Sequence, residues 1–138
     1  MAKDKFHKEV CEAIQKEGWT ITNDPLYIKL GKIPIQIDLG AEKIIGAEKE
    51  GQKIAIEIKT FGILSFISAF HEAVGQYIVY REALEIIEAN RVLYLAIPSD
   101  VFNSFGHEIL VKTVFEKNKF NVLVYKPSNQ EIVSWIKY

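Results

Sequence analysis

KIAIEIKT, residues 53–60, alternates isoleucine with other residues along its length. This period of two predicts a β-strand with one buried face. Because successive side chains of a strand point to opposite faces, Glu57 and Lys59 share the face opposite the isoleucines. An interior strand with a carboxylate and an ammonium side by side indicates either an ion pair on a solvated sheet face or part of a functional site.

The residues before this strand predict one helix followed by short strands. Apolar residues recur at helical spacing over residues 4–17, and Gly18 provides a stop. WTIT and LYIKL, separated by the turn-favouring NDP, predict one interrupted strand or a pair of strands. IPIQIDLGA alternates again, and the following residues predict a hairpin that turns near Glu50-Gly51.

The residues after this strand predict helices and strands in alternation. The longest helical pattern runs from about Leu64 to Ala89. RVLYLAIP predicts an interior strand, a turn is expected at residues 98–100, and residues 110–115 lie in a further helix. Two strands, FNVLVYK and EIVSWIKY, close the chain. The predicted fold is α/β, with a mixed central sheet flanked by helices in the order α-β-β-β-α-β-α-β-β and three to five strands before the long helix.

The composition limits the class of protein. A chain of 138 residues fits a single domain, 1–138. Seventeen basic and eighteen acidic residues give a formal net charge of -1, which disfavours a stand-alone DNA binder of high affinity, because such binding depends on neutralising phosphates. The chain lacks apolar stretches typical of a membrane helix or a signal peptide, which predicts a cytoplasmic protein with no membrane partner. One cysteine, Cys11, and three separated histidines disfavour a structural zinc site.

Asp38, Glu57 and Lys59 have the chemistry of a metal-dependent site. Asp38 lies on the preceding strand segment, and a hairpin can return the chain alongside it. Two carboxylates bind a hard cation such as Mg²⁺ or Mn²⁺, which also accepts phosphate oxygens and lowers the pKa of a bound water. A lysine beside them can orient that water and offset phosphate charge. The alternative is a cross-strand ion pair without catalytic function.

This arrangement resembles the core of the PD-(D/E)XK nuclease superfamily, with its restriction-endonuclease-like fold. In that superfamily the first acid is on the second strand and the E-x-K motif on the third. The resemblance implies that Asp38 and Glu57 bind the metal and that Lys59 is the catalytic lysine. Residue 37 is isoleucine, so the proline-aspartate dipeptide that gives the superfamily its name is absent.

Five segments in order resemble the XisH family of element excision factors. They are GWTITNDPLYIKL, DLGAEK, AEKEGQKIAIEIKTF, GQYIVYR and RVLYLAIP. Proteins of that family are associated with programmed excision of a DNA element from cyanobacterial genomes. The resemblance implies DNA, a companion protein of the XisI type and a recombinase as partners.

The register of the hairpin leaves the first acid of the site open. If Glu50-Gly51 is a two-residue turn, Glu57 faces Ile44, with Glu42 and Glu48 on the same face. Asp38 is the first choice of metal ligand, Glu42 is the alternate, and Glu48 is more typical of a solvent-facing charge.

Further residues complete the predicted site. Gln76 and Tyr80 are one helical turn apart, and the superfamily resemblance implies that Gln76 reaches the metal site or the DNA. Tyr80 is more typical of a core residue. His7 is a conceivable general base because the pKa of histidine lies near neutrality, although a polar cap or a surface position is the simpler interpretation.

Two functions follow from these patterns. The first is a Mg²⁺-dependent endonuclease of the PD-(D/E)XK type that supports element excision. The second is a non-catalytic module that docks the companion protein and directs the recombinase, which fits the slightly acidic net charge. The closing alternation IVSWIKY predicts an edge strand or a pairing surface, which allows a homo-oligomer.

Overall fold

Two sheets and four helices make up the part of the chain that the computed structural model describes, residues 4–43, 51–62 and 65–138. The helices are α1 His7–Lys16, α2 Phe66–Ile87, α3 Ser99–Phe105 and α4 Ile109–Lys117. The strands are β1 Thr20–Asn23, β2 Leu26–Leu30, β3 Ile33–Ile37, β4 Leu39–Lys43, β5 Gln52–Ile58, β6 Arg91–Pro98, β7 Asn121–Lys126 and β8 Glu131–Lys137. None of the described helices is long and apolar enough to cross a membrane.

The larger sheet has six strands in the order β1-β4-β5-β6-β7-β8. Its three central strands, β5, β6 and β7, run parallel, whereas the outer pairings are antiparallel. The sheet is therefore mixed, which confirms the predicted α/β class. Residues 54–58 of β5 are all buried, because β5 lies between β4 and β6 and both faces of the sheet are covered.

The two faces of the sheet pack against different helices. The isoleucines of β5 lie on the face covered by α1, where Val10 and Ile14 are fully buried. Ala55 lies on the opposite face, which packs against Phe70 and Tyr77 of α2. The period of two then places Glu57 on the α2 side of the sheet, at the end of a strand that is fixed by the packing of both faces.

The number of strands before α2 is the upper end of the predicted range of three to five, and two more than the predicted order α-β-β-β-α-β-α-β-β contains. Five strands precede α2, because WTIT and LYIKL belong to different sheets and IPIQIDLGA is two strands interrupted at Asp38. β1 pairs with β4, whereas β2 and β3 form a separate antiparallel hairpin. At Asp38 the chain leaves this hairpin and enters the large sheet.

Two helix boundaries also differ from the sequence prediction. The long helix covers Phe66–Ile87 rather than residues 64–89, and Leu64 lies outside the described residues. A helix, α3, begins at Ser99 where only a turn was expected. The extended backbone of Pro98 and the acidic Asp100 in the first helical turn are typical of a helix N-terminus, so the turn residues begin a helix.

The register between β4 and β5 excludes a two-residue turn at Glu50-Gly51, which the sequence had left open. Leu39 pairs with Ile56 and Lys43 pairs with Gln52. A turn at Glu50-Gly51 would have paired Ile44 with Glu57, and this register excludes that pairing. Glu48 and Glu50 lie outside the described residues.

Candidate active site

Asp38 and Glu57 lie side by side where β4 begins and β5 ends. The Leu39–Ile56 pair is the last of the ladder, and the next step along the two strands brings Asp38 alongside Glu57. The backbone N–H of Ile58 donates to Asp38 Oδ2 at 2.8 Å, and the backbone N–H of Asp38 donates to Glu57 Oε1 at 3.4 Å. These reciprocal bonds hold both carboxyl groups at one position on the sheet.

Burial changes the protonation of both carboxyl groups. Glu57 is 6% exposed, and its pKa is raised to about 8 by burial first and by the charge of Asp38 second. Burial also raises the pKa of Asp38, although the hydrogen bond from Ile58 opposes this shift. A hydrogen bond links the two side chains. Two adjacent carboxyl groups that cannot both ionise readily will share one proton near neutral pH.

Lys59 follows β5 directly and reaches the same cleft. Its backbone N–H donates to the carbonyl of Ala96 on β6, which extends the parallel pairing by one residue. Its Nζ lies 3.0 Å from Glu72 Oε1 of α2, so the ammonium is paired with α2. Within the described residues, no lysine or arginine forms an ion pair with Asp38 or Glu57. The charge of Lys59 nevertheless lowers the pKa of Glu57.

One face of α2 forms a wall of the cleft. Glu72, Gln76 and Tyr80 follow one another at intervals of one helical turn, and all three line the cavity. The side-chain oxygen of Gln76, Oε1, is buried and has no hydrogen-bond partner in the described part of the chain. Burial raises the pKa of Tyr80, and the charge of Glu57 adds to this effect. Gln76 therefore presents an unused acceptor close to the carboxyl pair.

The opposite wall comes from the hairpin β2–β3 and from the residue that precedes α1. Tyr27, Pro34 and Gln36 line the cavity from the hairpin, and Asp4 lines it from the N-terminal side. Asp4 is fixed there because its Oδ1 accepts from the Thr60 hydroxyl at 2.5 Å. The cleft has a volume of about 530 Å³, enough for a small ligand or a segment of a larger one.

The structure brings four of the predicted site residues into this cleft and leaves one outside. Asp38, Glu57, Lys59 and Gln76 all line the cavity. Glu42 does not, because it pairs with Lys53 in the ladder and lies 3.8 Å from the Lys53 ammonium. Glu42 is four positions after Asp38, which is about 13 Å along an extended strand. The alternate choice of Glu42 as a metal ligand is therefore not supported by the geometry.

Two acidic residues of the cleft, Glu72 and Asp4, were missed at the level of sequence. The signal for Glu72 was available, since it precedes Gln76 by one helical turn and must share its face. The signal for Asp4 was absent, because its place in the cleft depends on long-range contact with Thr60. His7 is buried rather than at the surface, and its Nε2 lies 2.7 Å from Asp24 Oδ1.

Comparison with known proteins identifies the family. The model of the family described as "XisH protein" matches residues 1–133 of the chain. The chain belongs to the XisH family. No curated protein matches this XisH-family chain.

Two crystal structures resemble this XisH-family protein over nearly its whole length. An XisH family protein from Nostoc punctiforme PCC 73102 is 40% identical with a TM-score of 0.88, and the match covers 96% of this chain and 99% of that one. An fdxN element excision controlling factor protein from Anabaena variabilis is 41% identical with a TM-score of 0.87, and the match covers 97% of this chain and 99% of that one. The fold is thus shared with relatives of the same family.

Proposed function

We propose that this XisH-family protein has a PD-(D/E)XK fold and acts in DNA element excision as a metal-dependent endonuclease. The observation that carries the proposal is the buried carboxyl pair, Asp38 and Glu57, with Lys59 in the same cleft. These residues follow one another along the chain in the order of the superfamily pattern. The name of the Anabaena variabilis relative, an excision controlling factor, supports the link to excision.

The cleft fits a hard divalent cation such as Mg²⁺ or Mn²⁺. Asp38 and Glu57 would hold the ion, because each has an oxygen left over after the hydrogen bonds to the backbone. A bound cation would replace the proton that the two carboxyl groups share, which removes the cost of burying two negative charges together. When bound, such an ion supplies Lewis-acid stabilisation of the phosphate and a more acidic water.

Lys59, Glu72 and Gln76 have supporting roles in the proposed hydrolysis. The Lys59 ammonium positions the attacking water and offsets phosphate charge, while Glu72 holds that ammonium at the edge of the cleft. The free Oε1 of Gln76 orients a metal ligand or the substrate. The water oxygen bonds to phosphorus as one phosphorus–oxygen ester bond breaks, and a proton goes to the leaving oxygen.

Replacement of Lys59 by alanine tests the proposal. The rate of Mg²⁺- or Mn²⁺-dependent cleavage of DNA should fall roughly 10²- to 10⁴-fold, the usual range for loss of a positioned proton-transfer group. Lys53→Ala is the matched control, because Lys53 lies on the same strand and pairs with Glu42 and Glu88 instead. Circular dichroism checks that both variants fold. Equal cleavage by wild type and Lys59→Ala would contradict the catalytic assignment.

A non-catalytic function is the second candidate. It is favoured by exposed apolar residues on α4, above all Ile109 at 81% and Leu110, which offer a contact surface for a companion of the XisI type. In that case the protein would dock the companion and direct a recombinase. Calorimetry distinguishes the two: Mn²⁺ binding that is lost in Glu57→Ala supports the enzyme. Tight binding of the companion with no heat from Mn²⁺ supports the docking module.

A further inference from the structure

Three side chains with different metal-binding groups, two of them on α1, come together in the fold. His7 and Cys11 lie one helical turn apart on α1, and Asp24 lies in the connection between β1 and β2. One ligand atom from each lies within 4.8 Å of the other two. Two separate elements therefore direct an imidazole, a thiol and a carboxylate to a single point.

The contacts of His7 fix the direction of its ring. The side chain is buried, with a residue exposure of 7%, and only Nε2 has a partner, at 2.7 Å from Asp24 Oδ1. The other ring nitrogen, Nδ1, is buried and has no hydrogen-bond partner among the described residues. The contact with Asp24 thus points Nε2 toward the shared point, so Nε2 is the atom of the ring that can bind a metal.

The donor set selects the class of metal. Nitrogen, sulfur and oxygen ligands together suit Zn²⁺ and similar divalent transition metals, whereas Mg²⁺ and Ca²⁺ prefer oxygen alone. Around a tetrahedral zinc ion, the bond lengths require ligand atoms about 3.3 to 3.6 Å apart. His7 Nε2 and Asp24 Oδ1 are closer than this, at 2.7 Å, and all the ligand atoms lie within 4.8 Å of one another, so an ion would move these side chains as it binds. Three protein ligands leave the fourth position to water.

We propose that His7, Cys11 and Asp24 form a binding site for a zinc-type divalent transition metal, separate from the carboxyl pair of the cleft. The ion replaces the proton between His7 and Asp24 and takes the thiolate of Cys11 as its third ligand. It clips α1 to the β1–β2 connection. Because Asp4 lies just before α1 and lines the cleft, the ion also steadies one wall of the proposed active site.

Cobalt substitution tests the site directly in the full chain. After treatment with a chelator, the protein is titrated with Co²⁺, and thiolate-to-cobalt charge-transfer absorption is recorded in the near ultraviolet. One equivalent should bind with this absorption, and Zn²⁺ should displace it and raise the melting temperature. Cys11 is the only cysteine, so the band reports on this site alone.

Variants separate this site from the cleft. Cys11→Ser should abolish the band, and Asp24→Asn should weaken Co²⁺ binding at least about tenfold. Asp24 is exposed, so this second variant decides the outcome if replacing the buried His7 or the half-buried Cys11 disturbs folding. His71→Gln is the matched control on an exposed histidine and should bind Co²⁺ normally. Glu57→Gln should also retain the band, whether or not the protein cleaves DNA.

The proposal is overturned by either of two results. The first is a folded wild-type protein that shows no thiolate-to-cobalt band and no change in melting temperature with Zn²⁺. The second is Co²⁺ binding that is lost in Glu57→Gln but unchanged in Asp24→Asn, which would place the ion in the cleft instead.

Discussion

At the scale of single residues, the unusual feature is the protonation of Glu57. Its carboxyl group is held against Asp38 by backbone hydrogen bonds and has no cation beside it within ion-pair distance in the described part of the chain. Burial and the neighbouring charge therefore favour the protonated form in the folded state. Perturbed carboxyl groups of this kind concentrate at functional sites, which agrees with the proposed metal-binding role.

The first prediction concerns the pH dependence of stability in the metal-free protein. The pKa of Glu57 is raised from 4.5 to about 8 on folding, so the folded state binds its proton more tightly than the unfolded state. The stability that Glu57 contributes is fully present below about pH 4.5 and is lost as the pH rises to about 8. Because glutamine resembles the protonated form, Glu57→Gln should reduce this fall, and the variant should be more stable than wild type by a few kcal/mol near pH 8.

Urea denaturation between about pH 5 and pH 8 in the presence of a chelator measures this effect. Glu42→Gln is the control, because Glu42 lies on the adjacent strand outside the cleft and its replacement should leave the pH dependence unchanged. If wild type and Glu57→Gln show parallel pH profiles, the proton-sharing interpretation of the carboxyl pair is wrong.

At the scale of elements, the packing of α2 on the sheet positions the site. Tyr77 is fully buried between them, and its hydroxyl donates to the carbonyl of Leu93 on β6 at 3.1 Å. The same hydroxyl accepts from the backbone N–H of Asn121 on β7 at 2.9 Å. One side chain thus fixes α2 against two strands. Glu72, Gln76 and Tyr80 are aligned over the cleft as a result of this docking.

Replacement of Tyr77 by phenylalanine should destabilise the fold. The variant keeps the ring packing against Phe120 but leaves the buried N–H of Asn121 without its partner, at a cost of about 1–3 kcal/mol. Tyr80→Phe, on the same helix, should cost less, because the Tyr80 hydroxyl makes no hydrogen bond to the described residues and the side chain is only half-buried. Chemical denaturation compares the free energies of unfolding. Equal costs in the two variants would contradict the proposed role of the Tyr77 hydroxyl.

At the scale of the whole molecule, the charge balance opposes the binding of DNA. The formal net charge is -1, and the cleft is lined by four acidic side chains and one lysine. Phosphate groups would meet repulsion there unless cations neutralise the carboxylates. DNA binding by this protein should consequently depend on a divalent ion, on a partner, or on both.

A prediction about DNA binding follows from this charge balance. Lys59→Ala keeps the carboxyl pair but is expected to cleave far more slowly, so binding can be measured with little turnover. Its affinity for duplex DNA should be higher with Mg²⁺ than with a chelator, because the ion offsets part of the negative charge of the cleft. Fluorescence anisotropy at constant ionic strength measures the difference. Adding Glu57→Gln to the variant should remove the gain, and a gain that persists would mean that Mg²⁺ acts elsewhere on the complex.

Local periodicity explains which features could be predicted. The strand at residues 53–60 and the shared face of Glu57 and Lys59 follow from the period of two, because neighbouring side chains determine them. The long helix and the strand RVLYLAIP agree with the structure within a few residues for the same reason. The linear order of short segments also predicted membership of the XisH family, and the match to the family model confirms this prediction.

Long-range contacts decided the rest. Asp38 rather than Glu42 lies beside Glu57 because the β4–β5 register is set by packing along the whole sheet, and a small change in loop length alters every pairing. Asp4 enters the cleft only through its bond to Thr60. His7, Cys11 and Asp24 are brought together by the docking of α1 beside the β1–β2 connection. The sequence alone predicted most of the elements and the family, because local periodicity and short segments carry both. Which side chains meet depends on the tertiary structure, because those contacts join residues far apart in the chain.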